Sequence, residues 1–191
     1  MSLLITTPPT AEPVTEQEVL DRLRLKTPSD GDSRLIASAI STAREYAESV
    51  TGWSLAAKTY ADVRDNFPYP PRTPLVLFRP PLVAVTAIKF LDGSYAWQTW
   101  DPSEYWVADG NIPALVQPKE GIAYPFPCRA PGSVRIEFEA GASTYGPHLE
   151  GVRQLAVHIF EHPEAIASGD LKEVPLSIST FFKVKRAHCY F

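Results

Sequence analysis

The chain has little of what marks a stapled, membrane-spanning or nucleic-acid-gripping protein. It holds only two cysteines, Cys128 and Cys189, at a separation that matches no metal or redox motif. Two reduced thiols, in a protein made in a cytoplasm, are the expectation. No apolar run approaches the ~18 residues of a membrane-crossing helix. The start, Met1-Ser2-Leu3-Leu4-Ile5-Thr6, lacks a basic segment, and its apolar run is too short for a signal peptide. Ser2 excludes N-myristoylation. Basic residues number 18 against 22 acidic ones, a net charge of −4. The basic face that grips nucleic acid is therefore missing, although DNA could still pass nearby without being held. Glycine is unremarkable at 10 residues, and there is no internal repeat or low-complexity run.

What is present reads as an ordinary globular protein: 191 residues, 45% hydrophobic, 21% charged and 11% aromatic. Proline is the outlier, at 19 residues, roughly twice the usual ~5%. With so many aromatics, these prolines punctuate short strands and ordered loops rather than a disordered linker.

Along the chain the pattern reads helix, strands, helix. Residues 7–14 carry three prolines and predict an extended arm. Thr15-Glu16-Gln17-Glu18 is a capping box, with Thr15 as N-cap and Glu18 at N3. It opens a short helix ending near Lys26. Ser29-Asp30-Gly31-Asp32 supplies N-caps for a longer helix, about Asp32 to Val50. Its apolar positions Leu35, Ile36, Ala39, Ile40, Ala43, Tyr46, Ala47 and Val50 follow the 3.6-residue period. Ala39, Ala43 and Ala47 form a thin strip for close packing, within a subunit or between neighbours, and Gly52 closes the helix. Strand-like runs follow at Ala56–Val63, Leu75–Phe78, Val83–Leu91, Tyr105–Val107 and Val134–Phe138, with a turn at Asp92-Gly93. Val134, Ile136 and Phe138 alternate with Arg135, Glu137 and Glu139, as in a half-buried antiparallel strand. A third helix is expected from about Pro147 to Glu161, with Pro163 ending it. A short helix, Leu176–Val184, is expected beyond Pro175.

The candidate chemistry is sparse. His158-Ile159-Phe160-Glu161-His162 has the H-x-x-E-H spacing of inverted zinc peptidases, which places two imidazoles on one helix face with Glu161 as general base. Pro163 ends the helix at the second ligand, and no second helix offers a third carboxylate ligand, although Glu164 and Glu173 lie downstream. Two histidines on the flank of an amphipathic helix, near its electronegative C-terminal end, is the preferred reading. No phosphate-cradling glycine loop and no nucleophile elbow occur. Cys128 beside Arg129 reads as an inert loop thiol, and the scattered aspartates lack the density of a calcium loop. No enzyme, metal or cofactor is expected. The aromatic cluster of Trp53, Tyr60, Tyr69, Tyr95, Trp97, Trp100, Tyr105 and Trp106 lacks the interleaved Lys and Arg of a single-strand stacking platform. It suits core packing or a protein interface.

The order of these signals resembles the head–tail connector (adaptor) proteins of tailed bacteriophages. The resemblance runs through Ile5-Thr6-Thr7-Pro8-Pro9-Thr10-Ala11-Glu12-Pro13-Val14-Thr15 and Leu23-Arg24-Leu25. It continues in Asp32…Leu35-Ile36 and Ala43-Arg44-Glu45-Tyr46-Ala47-Glu48, then Thr51-Gly52. Pro80-Pro81-Leu82 to Asp92-Gly93, Val134–Phe138, Ala140-Gly141, Pro147, Leu155–Glu161, Pro175 and Phe181-Phe182…Arg186 complete it, covering about residues 5–186. Two departures are Ala142 where an aromatic often follows Ala140-Gly141, and His162-Pro163 where Asn-Arg often ends the third helix.

The resemblance implies an α+β fold: a small bundle of three main helices and a C-terminal helical segment, with a β-rich insertion between the second and third helices. The corresponding division is 1–53, 54–141 and 142–191. It implies a structural protein in the neck of a virion, synthesised in the bacterial host cytoplasm. There it would form a homo-oligomeric ring, commonly a dodecamer, below the portal. The ring would extend the DNA channel without binding DNA specifically and would meet a stopper or tail protein. Gene transfer agents use similar adaptors. The tail joins aromatic anchors to positive charge at Phe181, Phe182, Lys183, Lys185, Arg186, Tyr190 and Phe191, a composition suited to a protein partner. By the resemblance that partner is the portal; packing of the two phenylalanines on the subunit's own helices, and contact of the basic cluster with DNA, are the competing readings. Another neck component (a stopper or head-completion protein) and a metal-dependent hydrolase using His158 and His162 are the alternatives from other classes.

Overall fold

The computed structural model describes residues 2–162, 175–183 and 187. They divide into two compact units. One holds the N-terminal segment through Pro9 together with Ala57–Gly141; the other holds Thr10–Ala56 and the described residues from Ala142 onward.

The helical unit is built on local end signals. Helix α1 (Glu16–Leu23) starts at the Thr15 capping box. Glu18 Oε2 accepts from Thr15 N at 2.8 Å, and Thr15 Oγ1 from Glu18 N at 3.3 Å. The helix stops at Arg24, which turns left-handed (φ 56°), short of Lys26. Helix α2 (Asp30–Thr51) opens with a second capping box, Ser29 and Asp32, and closes on left-handed Gly52 (φ 74°). Helix α3 (Gly146–Glu161) has its proline in the first turn, and α4 is Leu176–Lys183. The alanine strip lies inside this unit: Ala39, Ala43 and Ala47 are buried with Ile36 and Ile40, in one core with Val152, Leu155, Ala156 and Ile159 of α3. Val19 and Leu20 of α1 and Ile178 and Phe182 of α4 complete the core. Leu35, expected on the stripe, is exposed.

Arg44 knots three segments of the helical unit together. Its Nε donates to Glu12 at 2.7 Å, and its Nη1 to Glu48 at 3.2 Å. Glu48 Oε1 in turn accepts from Leu55 N at 2.8 Å. Burial opposes the guanidinium's charge, but Glu12, Glu48 and Glu45 more than offset it, so Arg44 stays protonated.

The other unit is built of β-strands with one short 3-10 turn at Pro102–Glu104. Strands β1 (Ser2–Thr7), β2 (Lys58–Arg64), β4 (Leu82–Leu91), β5 (Trp97–Thr99) and β8 (Val134–Ala140) form one antiparallel sheet in the order β1-β2-β8-β4-β5. Strands β3 (Leu75–Leu77), β7 (Ala114–Pro118) and β6 (Tyr105–Ala108) form a second, in the order β3-β7-β6. The alternation on β8 holds: Val134, Ile136 and Phe138 are buried, while Glu139 is exposed. Arg64 links the two sheets, donating to Asp62 on its own strand and to Val76 O on β3, each at 2.6 Å. The core between them gathers Tyr60, Leu75, Leu77, Ile88, Trp100, Val116, Ile136 and Phe138.

This overturns the fold class implied by the order of sequence signals. The molecule is mixed α+β, with four helices and two antiparallel sheets among the described residues. It is not a three-helix bundle carrying a β-rich insertion between its second and third helices. The chain begins in the β-unit: Ser2–Thr7 is an edge strand on β2, pairing Ser2 with Val63 and Ile5 with Tyr60. The pairing spans some fifty residues, so no local pattern announces it. The short strands β5 and β7 likewise form only because a partner ladder is in place.

Candidate partner interface

Among the described residues, no group of three His, Cys, Asp or Glu side chains is arranged to hold a metal. The His158 and His162 rings lie face to tilted face, their centroids 4.7 Å apart. His162 Nδ1 lies 3.2 Å from His158 O, and His162 itself is the C-cap of α3. The second imidazole is therefore engaged in ending the helix. Pro163, Glu164 and Glu173 lie outside the described residues. Cys128 is a free, half-buried thiol; Cys189 lies outside the described residues.

The C-terminal candidates separate by environment. Phe182 is fully buried in the helical core, edge-on to Tyr46 at 5.9 Å. Phe181 is half-buried and Lys183 exposed. Lys185, Arg186, Tyr190 and Phe191 lie outside the described residues. Phe182 therefore anchors the chain to itself, and of the described members Lys183 is the one that faces solvent.

The β-unit sorts its aromatics in two. Trp100, Tyr105 and Tyr124 are buried; Trp97, Trp106, Tyr95 and Tyr69 are exposed. Two loops give the clearest presentation. Phe67 and Tyr124 stack at 5.0 Å and 16°, clasping the loops that carry them, and Tyr124 Oη donates to Thr73 O at 2.9 Å. Burial pushes the Tyr124 phenol up to about 12, so it remains a donor at neutral pH. Two residues beyond each member of this stack stands a bare aromatic: Tyr69, 88% exposed, and Phe126, 92% exposed. Prolines flank both, in Pro68-Tyr69-Pro70 and Pro125-Phe126-Pro127. The prolines restrict the backbone, so little chain entropy remains to be lost when such a tip is covered. Arg72 and Arg129 are exposed in the same two loops, which contain no acidic residue from Asn66 to Leu75 or from Gly121 to Ser133. Sequence reading passed over Phe126; its framing by two prolines is the signal that marks it.

The β4–β5 hairpin presents a further pair. The Asp92 carboxylate accepts from Ser94 Oγ at 2.6 Å, from Ser94 N at 2.8 Å, from Ala96 N at 3.0 Å and from Gln98 Nε2 at 2.8 Å. These bonds hold its carboxyl well below the usual range, with the Ser94 hydroxyl contributing most. The turn so fixed puts Tyr95 in the left-handed region (φ 61°) and leaves Tyr95 and Trp97 in solvent. Trp106 carries Lys119 over its ring at 4.6 Å. Tyr69, Tyr95, Trp97, Trp106 and Phe126 make up the exposed aromatic surface of the β-unit. It consists of rigid aromatic anchors with scattered charge, the composition of protein-docking sites.

No protein-family model matches the chain, and no curated protein matches it. Solved structures do. A chain from the neck of an empty GTA particle, computed with C6 symmetry, superposes with a TM-score of 0.77 at 18% identity, covering 100% of this chain and 98% of that one. A chain from the virion of a native gene transfer agent (GTA) particle gives 0.75 at 18%, with the same coverage. One from the neck of a native GTA particle, computed with C12 symmetry, gives 0.66 at 16%, again with that coverage. At such identities the likeness is one of fold, and it extends over both units.

Proposed function

We propose that this chain is a structural protein of the neck of a phage-like particle and, within the neck, the adaptor that forms a ring below the portal. One observation carries the reading: the fold corresponds over its whole length, with almost nothing left over on either side, to chains of GTA necks and virions. A domain shared by chance with a larger protein would leave part of one chain unmatched. The acidic net charge suits a conduit through which DNA slides without being held. The proline-framed aromatics suit lasting contacts with neighbouring proteins. In this role the chain acts as no enzyme. Its partners are further copies of itself, the portal above and a stopper or tail protein below, with the basic tail as the portal contact.

The test is electron microscopy and co-sedimentation of the purified protein with and without its portal. Rings that bind portal are expected. Rings that bind only the tail-side component would move the protein to the stopper position, and a stable twofold dimer indifferent to portal would overturn the reading.

A further inference from the structure

Strand β1 is attached to the β-unit almost entirely through its backbone. It pairs with β2 alone, in the register Ser2–Val63, Leu3–Asp62, Leu4–Ala61 and Ile5–Tyr60. Leu3 is its one partly buried side chain; Leu4 and Ile5 are 51% and 56% exposed. Natural edge strands defend themselves with charge, proline or brevity. This one has six residues, carries no charge and contains no proline.

The connection behind it is a short extended linker. Val14 is buried in the helical core, and Glu12 is bonded to Arg44. The chain is thus fixed to the helical unit from Glu12 onward. Between Thr7 and Glu12 lie Pro8, Pro9, Thr10 and Ala11. Fully extended they span about 14 Å, and the proline pair favours extended backbone over collapse.

From this geometry we infer that β1 is exchanged between copies: Ser2–Thr7 of one chain adds to the β2 edge of its neighbour. The occupant is specified by the structure itself, since a second copy offers the same acceptor edge in the same register. Exchange therefore conserves every ladder bond and the seat of Leu3. Each copy donates one strand and accepts one, a head-to-tail relation that closes into a ring when the rotation permits. The inference deepens the proposed function, on whose ring it rests for closure.

The test uses two full-length variants, Ser2→Cys and Val63→Cys, which occupy paired positions. They are co-expressed, oxidised and separated by size, and linked peptides are mapped by mass spectrometry so that Cys128 and Cys189 do not confuse the result. A link between positions 2 and 63 can then form only between chains. With random mixing, about one interface in four of a cyclic assembly should carry it. The double variant in a single chain is the control for register. Oligomers without the interchain link, alongside an intrachain link in monomers of the double variant, would overturn strand exchange and leave the ring standing. Chains that remain monomeric with only the intrachain link even when portal is present would overturn both. No bridge even in the double variant would mean that β1 does not pair with β2 in this register, which also overturns the inference.

Discussion

Gly151 of α3 sits against the ring of Phe182 of α4: a Cβ at position 151 would lie 2.6 Å from Phe182 Cε1 and 2.8 Å from Cζ. The absence of a side chain at 151 is what lets α4 seat its aromatic on α3. Gly151→Ala should therefore destabilise despite the better helix propensity of alanine. Overpacking costs about 1–3 kcal/mol against a gain of up to about 1 kcal/mol. Phe182→Ala should cost about 3–5 kcal/mol through the cavity it leaves. In urea unfolding, Gly151→Ala combined with Phe182→Leu should cost less than the sum of the two single changes.

Removing Arg44 takes the guanidinium away from two carboxylates, although Glu48 keeps its bond from Leu55 N. Glu48 is buried with it, and Glu12 meets it at the surface of the helical unit. Arg44→Ala should lower stability by about 3–5 kcal/mol, as expected for breaking a buried pair from one side. The simultaneous Glu48→Gln change should recover part of that loss in a denaturant midpoint measurement.

Acid should weaken the fold through its caps and turns. The carboxyl of Glu18 is held below its ordinary value, first by the Thr15 backbone N–H against opposition from burial, and then by Arg153. Asp32 is lowered by the Ser29 backbone N–H and hydroxyl, and Asp92 is lowered as described. A carboxylate whose pKa is lower folded than unfolded stabilises above its unfolded pKa, and that contribution vanishes as pH falls through the folded value. The unfolding midpoint should be flat from neutral pH to about 5 and decline below about 4. Glu18→Gln, which keeps an acceptor for the cap, should flatten the decline.

Tyr69 and Phe126 touch solvent rather than core. Replacing both with serine should leave thermal stability within about 0.5 kcal/mol of the parent. If they are docking anchors, assembly with neck partners should weaken by tenfold or more, about 1.4 kcal/mol. Light scattering and pull-down with the neighbouring neck proteins read the two effects separately.

For the C-terminal tail, charge reversal is a cleaner probe than deletion, because Phe182 belongs to the core. Lys183→Glu, Lys185→Glu and Arg186→Glu together should leave the circular dichroism spectrum unchanged. If the tail is the portal contact, association with portal should slow and its salt dependence should change. Unchanged association kinetics would separate the tail from the portal contact.

The sequence alone determined the features that depend on a few adjacent residues. Both capping boxes, the glycine that ends α2, the proline that opens α3 and the core of the Asp92 turn involve partners about one helical turn apart or less. Their hydrogen bonds and steric limits are properties of the local chain. The tertiary structure alone decided matters that depend on distant partners. Ser2–Thr7 becomes a strand because β2, more than fifty residues away, offers it a ladder. Phe182 is buried because Gly151 leaves room, whereas Phe126 stands in solvent between two prolines. Hydrophobic burial has no direction of its own. Two phenylalanines that look alike in the sequence are separated, one into core and one into solvent, by which surfaces the folded chain brings over them.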